Sequence, residues 1–481
     1  MTAGGELDAV VIGSGPNGLA AAITADAREG IARHGGSVLV VEGADTPGGG
    51  LRSAELTVPG LRHDVCSTIH VLGAGSPFLR SLPLEEHGLE WVHPDVMLAH
   101  PLDPGRAALL FRSVEETAAE LGPDADRYLA TVGTVTEMWD DIEDAILGPI
   151  IRWPRRPVPL VRFGLKALLP ATLTARRFRT DSAAALFAGC AAHAFIPLDR
   201  PLTSAFGLTL MAAGHRFGWP FARGGSQALA DAMISYLKSL GGQVETGRFI
   251  RSLAELPRSR VILADISPRA LADLLSDRVP PEFLRQYRRF RPGPGVYKVD
   301  YALTEPVPWI NPDLARAGTL HLGGTAEAIA AAESAAWAGL DPRRPFTLVA
   351  QPTLFDPTRS DGTHHALWVY AHVPHGSVSD HLGAIESLIT ELAPGFGDIV
   401  AARSILTPAD LEAMNPNLIG GDISGGAHTI RQLLFRPARR LDPYTTPMDR
   451  VFLCSASTPP GGGAHGMSGH LAALSAIERW L

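Results

Sequence analysis

The sequence predicts an α/β protein whose first domain is a parallel sheet assembled from distant parts of the chain. Residues 8–12 (DAVVI) are a short apolar run that leads through glycines into a helix-forming segment, and a second such run ends at Val41. A third run, residues 450–454, leads through another glycine-rich turn into the last helix-forming segment. Short, uniformly apolar runs are typical of strands buried on both faces of a parallel sheet. Because these runs lie at both ends of the chain, we expect a discontinuous Rossmann-like domain.

The composition is that of an ordinary folded protein of two or three domain-sized units. The chain has 481 residues, of which 46% are hydrophobic and 19% are charged. Its formal net charge of -8 argues against nucleic acid as the main partner. Cys66, Cys190 and Cys454 form no CxxC pair, so we predict no metal site and a reducing compartment. Without a basic segment before the first apolar run, or a long apolar stretch, the sequence predicts a cytoplasmic protein.

The first glycine turn, residues 13–18 (GSGPNG), has the spacing of a dinucleotide-binding loop. Gly13 permits the tight turn, Gly15 lets a pyrophosphate approach the backbone, and Gly18 lets the helix pack closely on the strand. At the start of the helix that follows Pro16, the backbone N–H groups of Asn17 and its neighbours would face the phosphates. We therefore predict that residues 13 and 15–18 bind the cofactor.

The second apolar run, residues 37–41 (SVLVV), ends in Glu42. A carboxylate at this place accepts hydrogen bonds from both ribose hydroxyls of an adenosine. The same carboxylate disfavours the 2′-phosphate of NADP. The combination of strand, glycine turn, helix and acid is far more specific than the glycine pattern alone.

A second glycine turn, residues 48–53 (GGGLRS), indicates FAD as the cofactor. We expect Gly49 and Gly50 to admit the pyrophosphate and ribityl chain of a long extended cofactor. Arg52 is expected to give a charge-assisted bond to phosphate. The pattern resembles the GG-x-x-R-S motif of FAD enzymes of the glutathione-reductase-like superfamily, which nicotinamide dehydrogenases do not need.

The C-terminal glycine-rich turn, residues 455–469, is expected to lie beside the flavin ring. A helix that begins here would stabilise negative charge on the reduced flavin. The alternative interpretation is a plain loop before the last helix. The residues that we predict to contact the cofactor are Ser457, Gly463, His465, Gly466 and Met467.

The middle of the chain is expected to return once to the sheet of the first domain. A helix over 231–240 precedes a strand over 243–245 and its successor strand over 249–251, where the backbone of Ile250 would meet the adenine. Residues 260–264 (RVILA) are the next predicted parallel strand, which ends at Asp265. We thus assign 1–95, 215–290 and 415–481 to the FAD-binding domain. The ranges 96–214 and 291–414 would form a substrate-binding domain with a mixed sheet and helices.

From end to end, the chain resembles the phytoene-dehydrogenase-related family of FAD oxidoreductases, and most of all its branch of pyridine nucleotide-disulfide oxidoreductase domain-containing protein 2. This resemblance implies a carotenoid-desaturase or amine-oxidase-like fold and leaves the substrate open. The segments that carry it are VVIGSGPNGLAAA, GGGLRSAELTVPG, WPFARGGSQA, GPGVYKVDYAL, PFTLVAQPTLFDPTR, LWVYAHVPHG, NPNLIGGDISGGA and LCSASTPPGGGAHGMSG.

Two predicted strands carry candidate reacting residues. Over 296–303 (VYKVDYAL), Lys298 and Asp300 share one face. Lys298 resembles the lysine that amine-oxidase relatives hold near the flavin through a water; the alternatives are a lysine at the sheet edge or a structural salt bridge with Asp300. Over 366–373 (ALWVYAHV), His372 shares a face with two aromatic residues and could accept a proton. The alternative there is an aromatic core strip with a hydrogen-bonded histidine.

Three other polar residues are weaker candidates. His70 follows the second glycine turn and could lie over the edge of the flavin ring. His465 is expected to act through its backbone, and Asp422 to stabilise a turn. A covalent bond from the flavin to Cys454 or His465 is not expected, because a buried thiol is normally inert.

Residues 151–180 contain eight basic residues and no acid, together with Trp153 and many aliphatic residues. Such a segment can lie on an anionic membrane surface. The alternative is a helix of the substrate domain with a solvated basic face.

The sequence as a whole predicts an FAD-dependent oxidoreductase that removes a hydride from a carbon of a lipophilic or amine-type organic substrate. Oxygen or a quinone would reoxidise the flavin, because no second dinucleotide fingerprint is present to bind a nicotinamide cofactor. Two other functions stay open: a flavin-dependent isomerase or saturase without net oxidation, and a non-catalytic FAD-binding partner or assembly protein. The sequence leaves the substrate and the oligomeric state undetermined.

Overall fold

The structure is a computed structural model that describes residues 6–26, 37–151 and 153–481. Each predicted strand named above, other than 249–251, matches an observed strand within one residue at each end. The strands, in chain order, are β1 (Leu7–Ile12), β2 (Val38–Val41), β3 (Ser53–Ala54), β4 (His63–Asp64), β5 (Trp91–Val92), β6 (Val96–Asp103), β7 (Arg106–Phe111), β8 (Phe221–Ala222), β9 (Gln243–Glu245), β10 (Ser259–Ala264), β11 (Gly295–Leu303), β12 (Ala317–Leu322), β13 (Thr347–Ala350), β14 (His365–Val373), β15 (Val400–Leu406) and β16 (Val451–Leu453).

The helices begin where caps or prolines allow them to. In seven of the described helices, the side chain of a serine or threonine N-cap accepts a hydrogen bond from a backbone N–H of the first turn that would otherwise be unpaired. In chain order they are α1 (Pro16–Asp26), α2 (Val71–Ala74), α3 (Pro77–Arg80), α4 (Val114–Glu120), α5 (Ala125–Tyr128), α6 (Thr134–Glu137), α7 (Trp139–Ile146), α8 (Pro157–Ala167), α9 (Ala171–Ala175), α10 (Asp181–Ala192), α11 (Thr203–Phe217), α12 (Gln227–Leu240), α13 (Pro268–Leu274), α14 (Pro281–Arg288), α15 (Ala326–Trp337), α16 (Leu382–Leu392), α17 (Pro408–Met414), α18 (Ile430–Leu434) and α19 (Met467–Trp480).

A five-stranded parallel sheet contains the predicted buried strands. Its order is β16-β10-β1-β2-β9, so strand β1 lies at the centre and its neighbours come from distant parts of the chain. Helices α1, α12 and α19 pack on one face, in a core that includes Leu19, Leu229 and Ala473. The fold is therefore α/β with a discontinuous Rossmann-like sheet, as predicted. All five strands lie within 1–95, 215–290 and 415–481; the division into domains itself stays a prediction.

A second, seven-stranded sheet has the mixed pairing expected for the other part of the chain. Its order is β15-β11-β14-β13-β12-β6-β7, in which β12 and β6 run parallel and the other neighbours antiparallel. Alternate residues of β11 face opposite cores: Val296 packs towards helices α10 and α11, whereas Val299 packs towards α16. This two-residue alternation places Lys298 and Asp300 on the face of α10 and α11.

One predicted strand, 249–251, is wrong. Residues 249–251 form no strand; Phe249 instead packs against Gly43, since a Cβ on that glycine would lie 2.9 Å from the phenyl ring.

Within 151–180, the structure forms helices α8 and α9, and Arg152 lies outside the described residues. Of the helices in the described ranges, none has both the length and the apolar character that crossing a bilayer requires.

Candidate cofactor and active site

The first glycine turn closes so tightly that side chains are sterically excluded. Gly13 has a φ of +95°, and a Cβ there would lie 2.8 Å from the carbonyl oxygen of Asp265. A Cβ on Gly18 would lie 2.0 Å from the carbonyl oxygen of Gly13. Glycine at these positions therefore lets helix α1 begin directly against the ends of β1 and β10.

Glu42 is held at the end of β2 by three hydrogen bonds. Its Oε2 accepts bonds from the backbone N–H of Ser14 at 2.8 Å and from the Ser14 hydroxyl at 2.6 Å. Its Oε1 accepts a bond from the N–H of Ala44 at 2.8 Å. A half-buried carboxylate that is fixed in this way keeps acceptor capacity for ribose hydroxyls at the edge of the parallel sheet.

The second glycine turn packs on the first. The N–H of Gly48 donates to the Ser14 hydroxyl at 3.0 Å, and a Cβ on Gly49 would lie 2.8 Å from the Cα of Gly15. Arg52 donates from Nε to the carbonyl oxygen of Gly49 at 3.0 Å, and from Nη2 to that of Met414 at 3.3 Å. Arg52 thus links this turn to the end of α17.

The C-terminal turn meets helix α1 from the other side. A Cβ on Gly466, whose φ is +70°, would lie 2.9 Å from the Cβ of Ala20, and a Cβ on Gly469 would lie 1.8 Å from the carbonyl oxygen of Asn17. The chain can approach α1 this closely at these two positions only because both residues are glycines. The side-chain Oδ1 of Asn17 is buried here without a hydrogen-bond partner in the described structure.

Of the predicted residues of that turn, Ser457, His465, Gly466 and Met467 are buried, whereas Gly463 is exposed. The Nδ1 atom of His465 accepts a bond from the N–H of Met467 at 3.1 Å, and its carbonyl oxygen accepts one from Ser76 at 2.7 Å. Burial lowers the pKa of His465 to about 4, so the ring is neutral. Ser457 is buried, and its carbonyl oxygen accepts a bond from Nε of Arg436 at 3.2 Å. Gly463 has a φ of +138°, which requires glycine.

Asp265 is a residue of this site whose contact with the turn the sequence did not reveal. Its Oδ2 accepts a bond from the N–H of Gly18 at 2.8 Å and lies 2.7 Å from the place that a Cβ on Gly15 would take. The carboxyl group therefore occupies the notch through which a pyrophosphate would approach the turn. Burial, supported by the charge of Glu42, raises the pKa of Asp265 to about 7, although the N–H of Gly18 opposes the shift.

Lys298 lies on an inner strand of the second sheet in a buried ion pair. Its Nζ donates to Asp300 Oδ2, and Nδ1 of His63 lies 3.6 Å from Asp300 Oδ1. Strand β11 lies between β14 and β15, so Lys298 is not at a sheet edge. The charge of Lys298 lowers the pKa of Cys66, a residue at the second glycine turn, since a Cβ on Gly50 would lie 3.9 Å from the Cys66 sulfur. Burial nevertheless raises the pKa of the Cys66 thiol.

His372 forms a buried dyad with Glu333, an acid that the sequence analysis did not select. Nδ1 of His372 lies 2.7 Å from Oε1 of Glu333, and both side chains are 1% exposed. The imidazole stacks on Phe195 at 3.9 Å and on Tyr370 at 5.7 Å between ring centroids. Because Glu333 accepts the Nδ1 proton, Nε2 carries the free lone pair, and it is buried without a partner in the described structure.

Three more histidines lie next to this dyad. Nε2 of His193 is 3.2 Å from Nε2 of His321, whose ring is 6.5 Å from that of His100. A Cβ on Gly189 of α10 would lie 2.8 Å from Nδ1 of His321 and 3.1 Å from Nδ1 of His100. Burial lowers the pKa of His193 to about 3 and that of His100 to about 4, so these rings are neutral.

The other candidates have structural partners. Nε2 of His70 shares a hydrogen bond of 2.9 Å with the Ser226 hydroxyl, and burial lowers its pKa to about 4. Asp422 accepts bonds from backbone N–H groups of Gly293 and Gly426, at 2.8 Å and 2.9 Å, so it stabilises a turn as expected. Ile250 is buried in the core next to β2 and β10.

A buried ion-pair network fixes the segment between the second glycine turn and His70. The fully buried Arg359 donates to Asp64 at 2.5 Å, to Asp356 at 3.1 Å and to the carbonyl oxygen of Ala222 at 2.8 Å. The arginine charge and several hydrogen bonds outweigh desolvation and hold the pKa of Asp64 far below its usual value. One guanidinium thus joins strands β4 and β8 to the segment that contains Asp356.

Some of the residues that the sequence analysis missed did leave a signal. Helix α15 buries Ile329, Ala332 and Ala336, and Glu333 is the one acid on that face. An acid within the apolar stripe of a helix needs a buried partner, which periodicity can predict but not identify. The contact of Asp265 with the first turn and the grouping of the histidines depend on strands that lie far apart in sequence.

The comparisons with known proteins agree with this architecture. Residues 11–82 match the family model of an NAD(P)-binding Rossmann-like domain. Pyridine nucleotide-disulfide oxidoreductase domain-containing protein 2 of Rattus norvegicus is 27% identical, in an alignment that covers 97% of this chain and 93% of that protein. The predicted resemblance is confirmed.

Solved structures show the same fold at low identity. An oxidoreductase from Methanosarcina mazei has a TM-score of 0.63 at 16% identity and covers 98% of this chain and 100% of its own. A triple mutant of putrescine oxidase has a TM-score of 0.62 at 15% identity and covers 98% of both chains. The chain therefore has an amine-oxidase-like fold, which leaves its substrate open.

Proposed function

We propose that this protein is an FAD-dependent oxidoreductase that removes a hydride from a carbon of a lipophilic or amine-type organic substrate. The observation that carries the proposal is the convergence of three glycine turns on the start of helix α1. Gly15 meets the second turn through Gly49, and Ala20 meets the C-terminal turn through Gly466. A nicotinamide dinucleotide needs the first of these turns, whereas an extended flavin dinucleotide has a use for all three.

The residues present fit FAD. Glu42 suits the ribose. The N–H groups at the start of α1 would bind the pyrophosphate beside Gly15, where the side chain of Asp265 would have to give way. The buried, unpartnered Oδ1 of Asn17 offers a hydrogen-bond acceptor at the same place. Arg52, which now bonds to two carbonyl oxygens, can donate to a phosphate from its remaining N–H groups.

FAD, when bound, would supply the hydride acceptor for the reaction. The chain's own contribution is to orient the substrate, to exclude water and to hold charge. Lys298 and Asp300 form a buried pair on the face of the second sheet that meets His63. His63 lies on β4, which pairs with β3 at the end of the second glycine turn. In holding charge, Lys298 would place its ammonium group, or a water that it binds, beside the proposed flavin site. Oxygen or a quinone is the proposed electron acceptor.

His372 is the proposed proton acceptor. Glu333 fixes the imidazole as the tautomer with its proton on Nδ1, so that Nε2 can take a proton from a substrate amine or hydroxyl. The aromatic rings of Phe195 and Tyr370 on both sides exclude water from this nitrogen. These rings and Trp368 give the site the apolar lining that a lipophilic or neutral amine substrate requires.

The first experiment is an absorption spectrum of the purified full-length protein, then anaerobic photoreduction and readmission of air. The proposal expects an FAD spectrum, and reoxidation by oxygen or by an added quinone. Gly15→Ala should lose the flavin because its Cβ would stand where the pyrophosphate must approach the backbone. Gly383→Ala should keep the flavin because that Cβ would meet open space. A protein without flavin that FAD cannot reconstitute would contradict the proposal.

The same preparation separates the two other functions. A flavin isomerase or saturase would turn over substrate only after reduction of its flavin and would consume no acceptor. A non-catalytic flavoprotein would keep its flavin oxidised through an anaerobic screen of amines and isoprenoid lipids. Bleaching of the flavin by one of these substrates, with consumption of oxygen or quinone, is the result expected for the oxidoreductase.

A further inference from the structure

We infer that helices α8 and α9 form a docking surface for membranes that contain anionic phospholipids. This surface, the α8–α9 face, goes beyond the proposed oxidoreductase function and does not depend on it. It consists of a stripe of exposed apolar side chains bordered by a basic cavity.

The apolar stripe runs along one side of α8. Val158, Val161, Leu165 and Leu168 follow one another at helical spacing and are between 57% and 68% exposed. Phe163 and Ala167, on the opposite side, are buried in the core. Large apolar side chains on a folded surface are common singly, but a continuous helical stripe of them indicates a contact surface.

The preceding segment extends the same apolar character. Trp153 is 92% exposed, and Ile150 and Ile151 are each about half exposed. Tryptophan is the residue type that prefers the boundary between headgroups and acyl chains, because its ring is apolar and its N–H is polar. An indole exposed to this degree beside an apolar helix therefore favours a lipid interface.

Basic residues border the stripe on one edge. At 100° per residue, Arg162 and Lys166 lie next to the stripe around α8, between its exposed and its buried sides. Lys166 also lines a surface cavity of about 510 Å³ with Arg127, Arg176 and Arg177, and none of the described residues that line it is acidic. Threonines 131 and 174 add hydroxyl groups to the lining. This combination of cations and hydroxyls suits a phosphate group.

Neighbouring acids neutralise Arg155 and Arg156, but not the basic residues that line the cavity. Arg155 pairs with Asp144 at 2.8 Å, and Arg156 pairs with Asp141 on α7. At the cavity, Asp124 is 3.9 Å from Arg127 but is already bonded to the backbone of Arg179 and to Thr180. Lys166 donates to backbone carbonyl oxygens of the segment before α6 and to a threonine, so its charge has no carboxylate partner among these contacts.

Charge decides between a membrane and a second copy of the chain. A symmetric dimer through the α8–α9 face would bring the same cations of both copies together, which costs free energy. An anionic bilayer offers phosphates to Arg162, Arg176 and Arg177, and acyl chains to the stripe between them. The arrangement therefore fits a lipid surface better than self-association.

The test is co-sedimentation of the full-length protein with vesicles of phosphatidylcholine and with vesicles of equal parts phosphatidylcholine and phosphatidylserine. We expect binding to the anionic vesicles that weakens at high salt, and little binding to phosphatidylcholine alone. The double variant Val158→Ser/Leu165→Ser and the double variant Arg176→Gln/Arg177→Gln should each reduce the partition coefficient about tenfold or more.

Two matched variants control for a general loss of apolar surface or charge. Val378→Ser/Leu441→Ser removes apolar side chains that are at least 97% exposed elsewhere, and Arg289→Gln/Arg343→Gln removes exposed cations elsewhere. All four double variants change exposed residues, so their unfolding midpoints should match that of the wild type. Both control variants should bind anionic vesicles like the wild type.

Several outcomes would overturn the inference. They are the absence of binding to anionic vesicles, equal binding by the stripe variant and the wild type, or equal losses in the control variants. A wild-type dimer that becomes monomeric in Val158→Ser/Leu165→Ser, without vesicle binding, would instead assign the face to a second copy. An unfolding midpoint raised by inorganic phosphate, again without vesicle binding, would assign the cavity to a free anion.

Discussion

Lys298 and Asp300 show how much one buried pair can decide at the scale of a residue. Both side chains are almost fully buried, so each charge depends on the other for compensation. The free energy that two charges lose on desolvation is large, and removal of one partner leaves the other unpaired. The sequence predicted a shared face for the two residues and left open whether the lysine serves the flavin or a salt bridge; the salt bridge is present, and a role at the flavin stays a proposal.

Lys298→Met should lower the free energy of unfolding by about 3–5 kcal/mol, because Asp300 then stays buried as an unpaired charge. The double variant Lys298→Met/Asp300→Asn should recover most of this loss. Urea unfolding of the FAD-loaded protein measures both. As a control, Arg285→Met breaks a pair with Glu282 in which both side chains are more than half exposed, and should cost less than about 1 kcal/mol.

The double variant also tests the proposed role of Lys298. We expect oxygen or quinone to reoxidise its photoreduced flavin more slowly than that of the wild type, despite the restored stability. A double variant that recovers both stability and the reoxidation rate would show that the lysine has only a structural role.

Glu333→Leu should destabilise the protein by about 1–3 kcal/mol, because Nδ1 of His372 loses its buried hydrogen-bond acceptor. Urea unfolding measures this loss. The exposed Glu327→Leu on the same helix is the control and should change the free energy by less than about 0.5 kcal/mol. Equal effects of the two substitutions would show that the dyad contributes nothing to stability.

Asp265 should make FAD binding weaken as the pH rises through about 7. The carboxyl group is neutral below its pKa, and above it a negative charge stands in the pyrophosphate notch beside Gly15. Asp265→Asn keeps an acceptor for the N–H of Gly18 without the charge, so we expect its affinity for FAD to vary little over this range. In alkaline buffer it should bind about tenfold more tightly than the wild type, or about 1.4 kcal/mol. Quenching of flavin fluorescence measures the affinity.

The free energy of unfolding of the FAD-free protein should vary with pH because of the same carboxyl group, that of Asp265. An aspartate whose pKa rises from 3.8 to about 7 on folding stabilises the fold below pH 3.8, and this contribution is lost as the pH rises towards 7. We expect a loss on the order of 1 kcal/mol, reduced by solvent at the half-buried turn. Asp265→Asn should remove this pH dependence; an unchanged profile in the variant would assign it to another group.

At the scale of an element, the contact between α1 and α19 brings the N-terminal and C-terminal turns together. The two helices come close at Gly466, directly before α19, and at Gly469 within it, where a side chain would meet a neighbouring Cβ or backbone. The sequence predicted both helices and both turns from local patterns. Only their packing shows why α19 has glycine at its third residue, which is otherwise unfavourable inside a helix.

Gly469→Ala should destabilise the protein by more than about 3 kcal/mol and reduce its flavin content, because the new Cβ would lie 1.8 Å from the carbonyl oxygen of Asn17. Gly164→Ala is the matched control, since this glycine is also inside a helix and its Cβ would meet nothing within 4 Å. There alanine should stabilise by about 0.5–1 kcal/mol. Thermal unfolding and the flavin-to-protein absorbance ratio measure both effects; equal behaviour of the two variants would contradict the packing argument.

At the scale of the whole molecule, three segments of the chain must meet before the central sheet is complete. Strands β1 and β2 come from the N-terminal segment, β9 and β10 from the middle, and β16 from the end. The proposed cofactor would contact all three segments through Glu42, Ile250 and the C-terminal turn. A ligand that binds the folded state alone stabilises the chain as a unit.

Free FAD should therefore raise the thermal midpoint of flavin-depleted protein in a single transition. At a concentration of 100 times its dissociation constant, the expected stabilisation is about 2.7 kcal/mol. NAD and NADP are the controls, and Glu42 should prevent a shift by NADP. A larger shift with NAD than with FAD would contradict the choice of cofactor, and would agree with the match of residues 11–82 to an NAD(P)-binding Rossmann-like domain.

The sequence by itself determined the parallel strands, the three glycine turns, Glu42 and the shared face of Lys298 and Asp300. These features follow from the side-chain periods of strands and helices, two and 3.6 residues, and from the spacing of glycines. Such patterns can be recognised within a few residues of the chain. The tertiary structure alone decided that Asp265 stands in the pyrophosphate notch and that Glu333 partners His372. Residues 265 and 18 are 247 positions apart, and residues 372 and 333 are 39 apart. Such pairs are fixed by sheet order and by the packing of helices on sheets, because no local rule of the chain relates their positions.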